Sequence, residues 1–598
     1  MADDNSISYS YQSGSPAPQP VDNNAPLYAF INCERVVLQN GGVLLLHKLS
    51  DAQMIIAPEV SIALASCSTF QTLAKHVDVL TSTIPQLAGQ QADVTKVLEM
   101  VRDAGLFTSA EDMCKRISSA TTAADLPRTR VFVITCDRPE AVQRLVQSML
   151  FAGNLSRHEE LFLIDDSRSP ENAELNRQLV EQFNLTSPRD MRYVGASAQQ
   201  QLLNALIQEL PEHEAGIRFL IDRKRWADKK SYGLARTLCL LLSVDSRAIV
   251  MDDDVICAAV DSPYKADGVG FGDTAREVEF YASEQDILSR TEKMDMEPLT
   301  GHAQCLGLNL AQALEKLGAG DLKPADLQGA NGAFLSQWDA ESQVIMTQSG
   351  TMGDPGTPLT DWVYSVDPAS AQRLLASPDG LEGALTNRHY WMGQPKPLFT
   401  KMAVISQMTG MDNSKLLPPY FPVFRGEDYL FGAMVEYLHP QSTVLEYDWC
   451  VPHFPIEPRS GNADSTPPSG KGAINMSKYI TDHTRYETGI SAETRLLGLC
   501  QLLRELSETS DQGLLTRYRA EVAESQNSKI KDLTAKLGDN TPRTQVWNEF
   551  LQATLNNASQ AQATRAELAD IPRMPDGYQA QDILDEFRAY TGDFAQAL

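Results

Sequence analysis

Between residues 129 and 255, short apolar runs alternate with stretches whose apolar positions recur at helical spacing. Val131-Phe132-Val133-Ile134 and Leu161-Phe162-Leu163-Ile164 are bounded by polar residues, the pattern of strands buried on both faces. Met191 to Val194 predicts a shorter strand, and Ala248-Ile249-Val250-Met251 a further buried parallel one. Between the strands, Val142, Leu145, Val146 and Met149 share one face of a helix with Pro139 near its start. Asn172 to Phe183 predicts a polar helix, and a longer helical stretch begins at Gln199. Strand and helix in alternation predict an α/β unit built on a parallel sheet.

The pattern differs on either side. Residues 1–26 are rich in Ser, Pro, Asn, Asp and Gln, the composition of a disordered tail. Residues 27–118 predict a small α+β domain: β-like runs Tyr28 to Leu38 and Gly42 to Leu46 joined by the hairpin-turn signal Asn40-Gly41, then helices near Glu59 to Ser66, Thr69 to Leu80 and Asp93 to Ala104, the last closed by Gly105. Ser118 to Pro127 has the composition of a linker, and an α/β domain is expected over 129–490. From 491 to 598 the pattern is helical, with one stripe at Leu496, Leu499, Leu502, Leu503 and Leu506 and another begun by Val546, Phe550, Leu551 and Leu555. Cys305 to Lys316 predicts a helix, and Gln343 to Pro358, rich in Gly, Thr and Pro, a long connection bordering a site.

Charge narrows the partners. With 51 Lys+Arg against 78 Asp+Glu the formal charge is −27, so the chain as a whole repels nucleic acid and anionic membrane surfaces. Met1 to Gln19 lacks a secretory pattern, and no apolar run approaches the ~18 residues of a membrane span. Nine scattered cysteines, never spaced C-x-x-C, fit reduced thiols in a cytoplasm better than disulfides or a zinc site.

The chemistry gathers where the strand ending at Met251 meets Asp252-Asp253-Asp254. Carboxylates at the carboxyl end of a parallel strand sit where open α/β sheets bind ligands, and their oxygens suit Mg2+ or Mn2+. A solvated turn or a helix cap reads equally from the triplet alone. "VFVITCDRP", "LFLIDDS", "YGLARTLCLLLS" and "AIVMDDDV", followed by "NGAFLS", "FRGEDYLFG" and "DWCVPHFP", are similar in order and spacing to the nucleotide-sugar-binding core of GT-A glycosyltransferases, especially the family-2-like group. The resemblance covers residues 129–457 and implies a Rossmann-like fold and a metal-dependent transfer from a nucleoside-diphosphate sugar, a UDP-sugar foremost. By it, Thr135, Arg138, Asp165 and Asp166 would lie at the nucleobase and Arg236 beside the nucleotide. Asp254 would hold Mn2+ or Mg2+, with Asp252 on the ribose or the metal, Asp253 an alternate ligand and His453 a further one. The long stretch between Asp254 and Asn331 departs from the family and is expected to be an insertion facing the acceptor.

Glu427 and Asp428 precede an apolar helix, where carboxylates are favoured by the helix dipole whatever their function. By resemblance, Asp428 would be the base that deprotonates the acceptor in an inverting transfer, with Glu427 its hydrogen-bonding neighbour. The basic cluster Arg223, Lys224, Arg225, Lys229 and Lys230 is expected to be a solvated helix face, although it could steer a diphosphate. Pro458 to Gly472 is expected to be a lid bearing Arg459 and Lys471, or a linker. The amino-terminal domain resembles PqqD-type winged helices, which hold leader peptides; a dimerising role competes with that. The acceptor is thus a peptide, a protein or a glycan. A haloacid-dehalogenase-like phosphatase would need a Thr soon after its Asp, absent here; a nucleotidyltransferase and a non-catalytic binding scaffold remain alternatives.

Overall fold

The computed structural model describes residues 25–598 apart from 32, 123–124, 291–292, 355, 357–360, 377–379, 387, 405–406, 424–425, 458–474, 540–542 and 569–578. The expected tail up to residue 24, Phe424-Arg425 of the "FRGEDYLFG" stretch and the expected lid with Arg459 and Lys471 lie outside those residues.

The central elements follow the predicted alternation: β1 (Thr129–Thr135), α1 (Pro139–Ala152), β2 (Glu160–Asp165), α2 (Pro170–Asn184), β3 (Met191–Val194), α3 (Ala196–Glu209), α4 (Tyr232–Leu241) and β4 (Arg247–Asp252). Then come β5 (Val344–Gly353), β6 (Met408–Asp412), α5 (Glu427–Leu438) and β7 (Thr443–His453). The chain is α/β, with a mixed sheet of twelve strands among the described residues. β3, β2, β1 and β4 lie side by side and parallel, and β4 then pairs antiparallel with β6. Beyond β6 lie β5, antiparallel to it, and β7, parallel to β5.

Alternation along each strand sends side chains to two different cores. Val131, Val133, Leu161, Leu163, Ile249 and Met251 face a core shared with α1 and α2, while Phe132, Phe162, Ile164, Ala248 and Val250 face one shared with α4 and α5. Both faces are covered, so these strands read as continuous apolar runs. The last helix, Ala580–Ala597, closes the second core by placing Phe594 against Phe219 and Phe421.

The predicted hairpin is present: Cys33–Val37 and Val43–His47 pair antiparallel, and Gln53–Ile56 adds a third strand. Tyr28–Phe30 instead pairs with Phe107–Ser109, and Ala29, Phe70 and Met113 join the main core. The rest of the amino-terminal segment, including Leu45, Leu80 and Leu98, has a small core of its own.

Three expectations need correction. Gln343 to Pro358 is not chiefly a connection, because Val344–Gly353 is a wholly buried strand at the middle of the sheet. Its polar residues hid it: Thr347 meets His302 at 2.9 Å, and Gln348 meets Glu446 at 2.9 Å, so they are satisfied inside. Cys305 to Lys316 is not one helix; Pro298–Cys305 and Leu310–Lys316 are separated at Gly307, whose φ of 82° no continuing helix adopts. Finally, Val546 is exposed, and the buried stripe of Gln545–Ala563 runs through Trp547, Leu551, Thr554 and Ala558. Apart from these, the stretch after Asp254, expected to be an insertion, adds Val260–Asp261, Gly270–Phe271 and Glu277–Phe280 to the main sheet.

Candidate functional site

From β1 the chain steps outward to β2 and β3, then returns to the opposite side of β1 to form β4. Strand order therefore reverses between β1 and β4, and the loops leaving their carboxyl ends part there, opening a crevice. Ile134 is paired with Asp252, so Thr135 to Arg138 and Asp252 to Asp254 leave the sheet side by side.

Each carboxylate of the triplet meets a cation. Arg236, buried on α4, donates to Asp252 Oδ1 at 2.7 Å. Arg138 Nη1 donates to Asp253 Oδ1 at 2.5 Å and to Asp254 Oδ2 at 3.1 Å, while its other nitrogens reach Glu457 at 3.2 and 2.8 Å. His453, the last residue of β7, sets Nε2 3.0 Å from Asp254 Oδ1. Arg144 donates to the Asp254 carbonyl at 3.1 Å. Burial is the main reason why the Asp253 carboxyl is pushed up to about 7; Asp254 and Asp252 add to it, and Arg138 and the Thr135 hydroxyl oppose it. Burial likewise raises Asp252, with Asp254 and Asp428 adding repulsion against Arg236 and His453. For His453 burial opposes the charged form, yet the charge and hydrogen bond of Asp254 prevail and raise it.

The other sequence-identified residues divide into two groups. The Thr135 hydroxyl donates to Asp253 Oδ2 at 2.6 Å, which ties it to the triplet. Asp165 and Asp166 sit one strand away: Asp165 accepts from Ser167 N, Asn176 and Tyr193, and Asp166 accepts from Arg223 at 2.7 Å and Ser231 at 2.5 Å. The backbone bond from Asp166 N to Thr135 O links this group to the first. Glu427 and Asp428 open α5 across the crevice, Asp428 half-buried, and both act electrostatically on Arg236. Asp428 also acts on Asp252. The residues singled out from the sequence thus converge on one sheet edge, except that Asp165 turns inward to brace it.

The basic cluster is not on a helix, although Lys224, Arg225 and Lys230 are exposed as expected. Residues 223–228 form turns, Arg223 holds Asp166, Arg225 pairs with Asp593, and Lys229 meets Glu586 at 2.5 Å. Sequence reasoning also missed Asp137, which adopts φ 57° and accepts from Ser169 N at 2.9 Å, so that it pins the start of α2 to the crevice. Its signal was an Asp in a polar turn, a residue type that tolerates the left-handed conformation.

Asp254 Oδ1 and His453 Nε2 are both buried, and 3.0 Å is about the edge of an octahedron with ~2.1 Å metal–ligand bonds. Asp252 is part-exposed, and its Oδ1 is engaged by Arg236. Among the described residues no group of three or more His, Cys, Asp or Glu side chains is placed to hold a metal ion. The Asp254–His453 pair supplies two donors, so an ion there would need its remaining ligands from substrate phosphates and water, the manner in which Mg2+ and Mn2+ commonly bind. All nine cysteines are free, with Cys136 exposed at the crevice, and no described helix is long and apolar enough to cross a membrane. In comparisons with known proteins, no family model and no curated protein matches the chain.

Proposed function

We propose that the chain is a metal-dependent glycosyltransferase of the GT-A type that moves a sugar from a nucleoside-diphosphate sugar to an acceptor hydroxyl with inversion. The observation that carries the reading is the placement of Asp252 to Asp254 at the switch point of the parallel part of the sheet, with the carboxylates that open α5 near enough to act on Arg236 and Asp252. A divalent cation held by Asp254 and His453, with Asp252 beside it, would neutralise charge growing on the departing diphosphate. Arg138 and Arg236 are the flanking cations; they hold the triplet in place and offer guanidinium donors toward phosphate oxygens. Asp428 takes the proton of the acceptor hydroxyl, and Glu427 orients that hydroxyl. The winged-helix-like amino-terminal segment is the region proposed to bring a peptide or protein acceptor.

The test is donor hydrolysis: full-length protein with Mn2+ and a panel of nucleotide sugars, scored for release of nucleoside diphosphate. Release with one donor, dependent on metal, is the expected result; no release with any donor counts against the enzyme reading. With pyrophosphate added, conversion of a nucleotide sugar to a sugar 1-phosphate and a nucleoside triphosphate would instead favour a nucleotidyltransferase.

A further inference from the structure

We infer that Arg388 and Asp354 are positioning residues for His453, fixing its imidazole so that Nε2 is presented to a divalent cation; this rests on the metal-dependent reading above. β5 ends at Gly353, which pairs with His453 of β7 and with Tyr390 of the strand Tyr390–Gly393. Three strand ends therefore meet at this point. Asp354 follows immediately, and its peptide grips His453 from two sides. Asp354 N donates to His453 O at 2.9 Å, and His453 Nδ1 donates to Asp354 O at 2.5 Å. With the Nδ1 proton held by that carbonyl, Nε2 is the nitrogen left facing Asp254, and it is the one that would ligate an ion in exchange for its own proton.

What holds the gripping peptide is a buried ion pair. Arg388 donates through Nε and Nη2 to the two oxygens of Asp354 at 2.5 and 2.7 Å, and both residues are buried, at 7% and 5% exposure. Gly356 N adds a third donor to Asp354 at 2.7 Å. Desolvating such a pair costs about as much as its attraction returns, so stability alone is a weak reason for it. A planar guanidinium on a carboxylate instead fixes orientation, which a ligand supported through a single carbonyl requires. Gly353 has φ 110°, and a Cβ there would sit 2.5 Å from His453 O, so the close approach of the two strands depends on that glycine.

The test uses full-length protein and Mn2+ alone. Affinity is measured by titration, and nitrogen ligation by electron spin-echo modulation with 14N- and 15N-labelled histidine. In the wild type the modulation should change with the isotope, and His453→Gln should abolish it. Arg388→Met should weaken Mn2+ binding about 10–100-fold and lose the histidine modulation, with partial recovery in Arg388→Lys. Asp354→Asn, which keeps the carbonyl but removes the charge pair, should behave like Arg388→Met and covers the case in which that variant fails to fold. Wild-type modulation and affinity in Arg388→Met or Asp354→Asn would overturn the positioning role alone. Absence of a histidine signal in the wild type would overturn the metal reading and the positioning role with it.

Discussion

Gly233→Ala separates packing from chemistry at the candidate site. Gly233 is in the first turn of α4, one turn before Arg236, and its N–H donates to Pro422 O at 3.2 Å. A Cβ at this position would lie 1.9 Å from Phe421 O and 3.2 Å from Tyr420 Cβ. The helix or the Tyr420–Phe421 segment must withdraw by about 1.1 Å to reach even 3.0 Å. Neither is free to do so: Tyr420 N is bonded to Thr237 at 3.1 Å, the Tyr420 ring stacks on Phe431, and Phe421 packs against Phe219 and Phe594. Replacing Gly in a helix gains at most about 1 kcal/mol of propensity, whereas overpacking costs about 1–3 kcal/mol or more. The clash wins, for a net loss of about 1–2 kcal/mol, and the displaced helix carries Arg236 off Asp252, now 2.7 Å apart. Gly383 also lies in a helix, but a Cβ there would meet nothing within 4 Å. It is the control, and Gly383→Ala should be neutral or slightly stabilising. Denaturant unfolding and binding of a nucleoside diphosphate give the two readouts. A Gly233→Ala protein as stable as the wild type, with undiminished binding, would refute the packing argument.

Other consequences follow at separate places. Asp254→Ala should abolish Mn2+-dependent turnover, whereas Asp428→Asn should keep nucleotide binding and lower transfer by about 10²–10⁴-fold; equal loss of binding in both would contradict the division of roles. His302 is wholly buried, with Nδ1 2.9 Å from Thr347, and burial pushes it down to about 3. The unfolded chain therefore binds this proton first: the stabilisation is full above pH ~6.5 and is lost toward pH 3, at up to about 1.4 kcal/mol per unit. The stability-versus-pH slope of His302→Gln should be shallower than the wild type between about pH 6 and 4, and parallel slopes would count against it. Arg276 pairs both oxygens of the buried Glu446, at 2.5 and 2.9 Å. Arg276→Met should cost about 3–5 kcal/mol, and adding Glu446→Leu should recover much of that, so strictly additive losses in a double-mutant cycle would oppose it.

The parallel half of the sheet was legible because each strand is apolar on both faces and each connecting helix has one apolar stripe. The triplet was legible because it directly follows such a strand. What escaped notice depends on partners distant in sequence. β5 has polar residues in its interior that look like a loop until Glu446 and His302 are supplied. Arg223 looked solvated because its partner, Asp166, lies 57 residues earlier in the chain. Arg388 and Asp354 lie in stretches with no periodic signal, and only the pairing of β5 with Tyr390–Gly393 and β7 brings them to His453.

The cations around the triplet also bear on how a ligand would enter. Three adjacent carboxylates with two of them buried repel one another, and burial disfavours their charged forms; the rise of Asp253 to about 7 persists even with Arg138 in contact. Arg138 spans Asp253, Asp254 and Glu457, so it is shared among acids on two separate loops. An incoming diphosphate would compete with these carboxylates for the same guanidinium, and an incoming divalent ion would compete with the guanidinium for the carboxylates. Binding both together exchanges one set of paired charges for another and leaves no buried charge unmatched, whereas binding either alone leaves a mismatch. Metal and nucleotide should therefore bind with positive coupling, each tightening the other by the same factor. Titrating a nucleoside diphosphate with and without Mn2+, and Mn2+ with and without the nucleotide, measures that factor twice. Independent binding of the two would show that Arg138 and the triplet do not exchange partners.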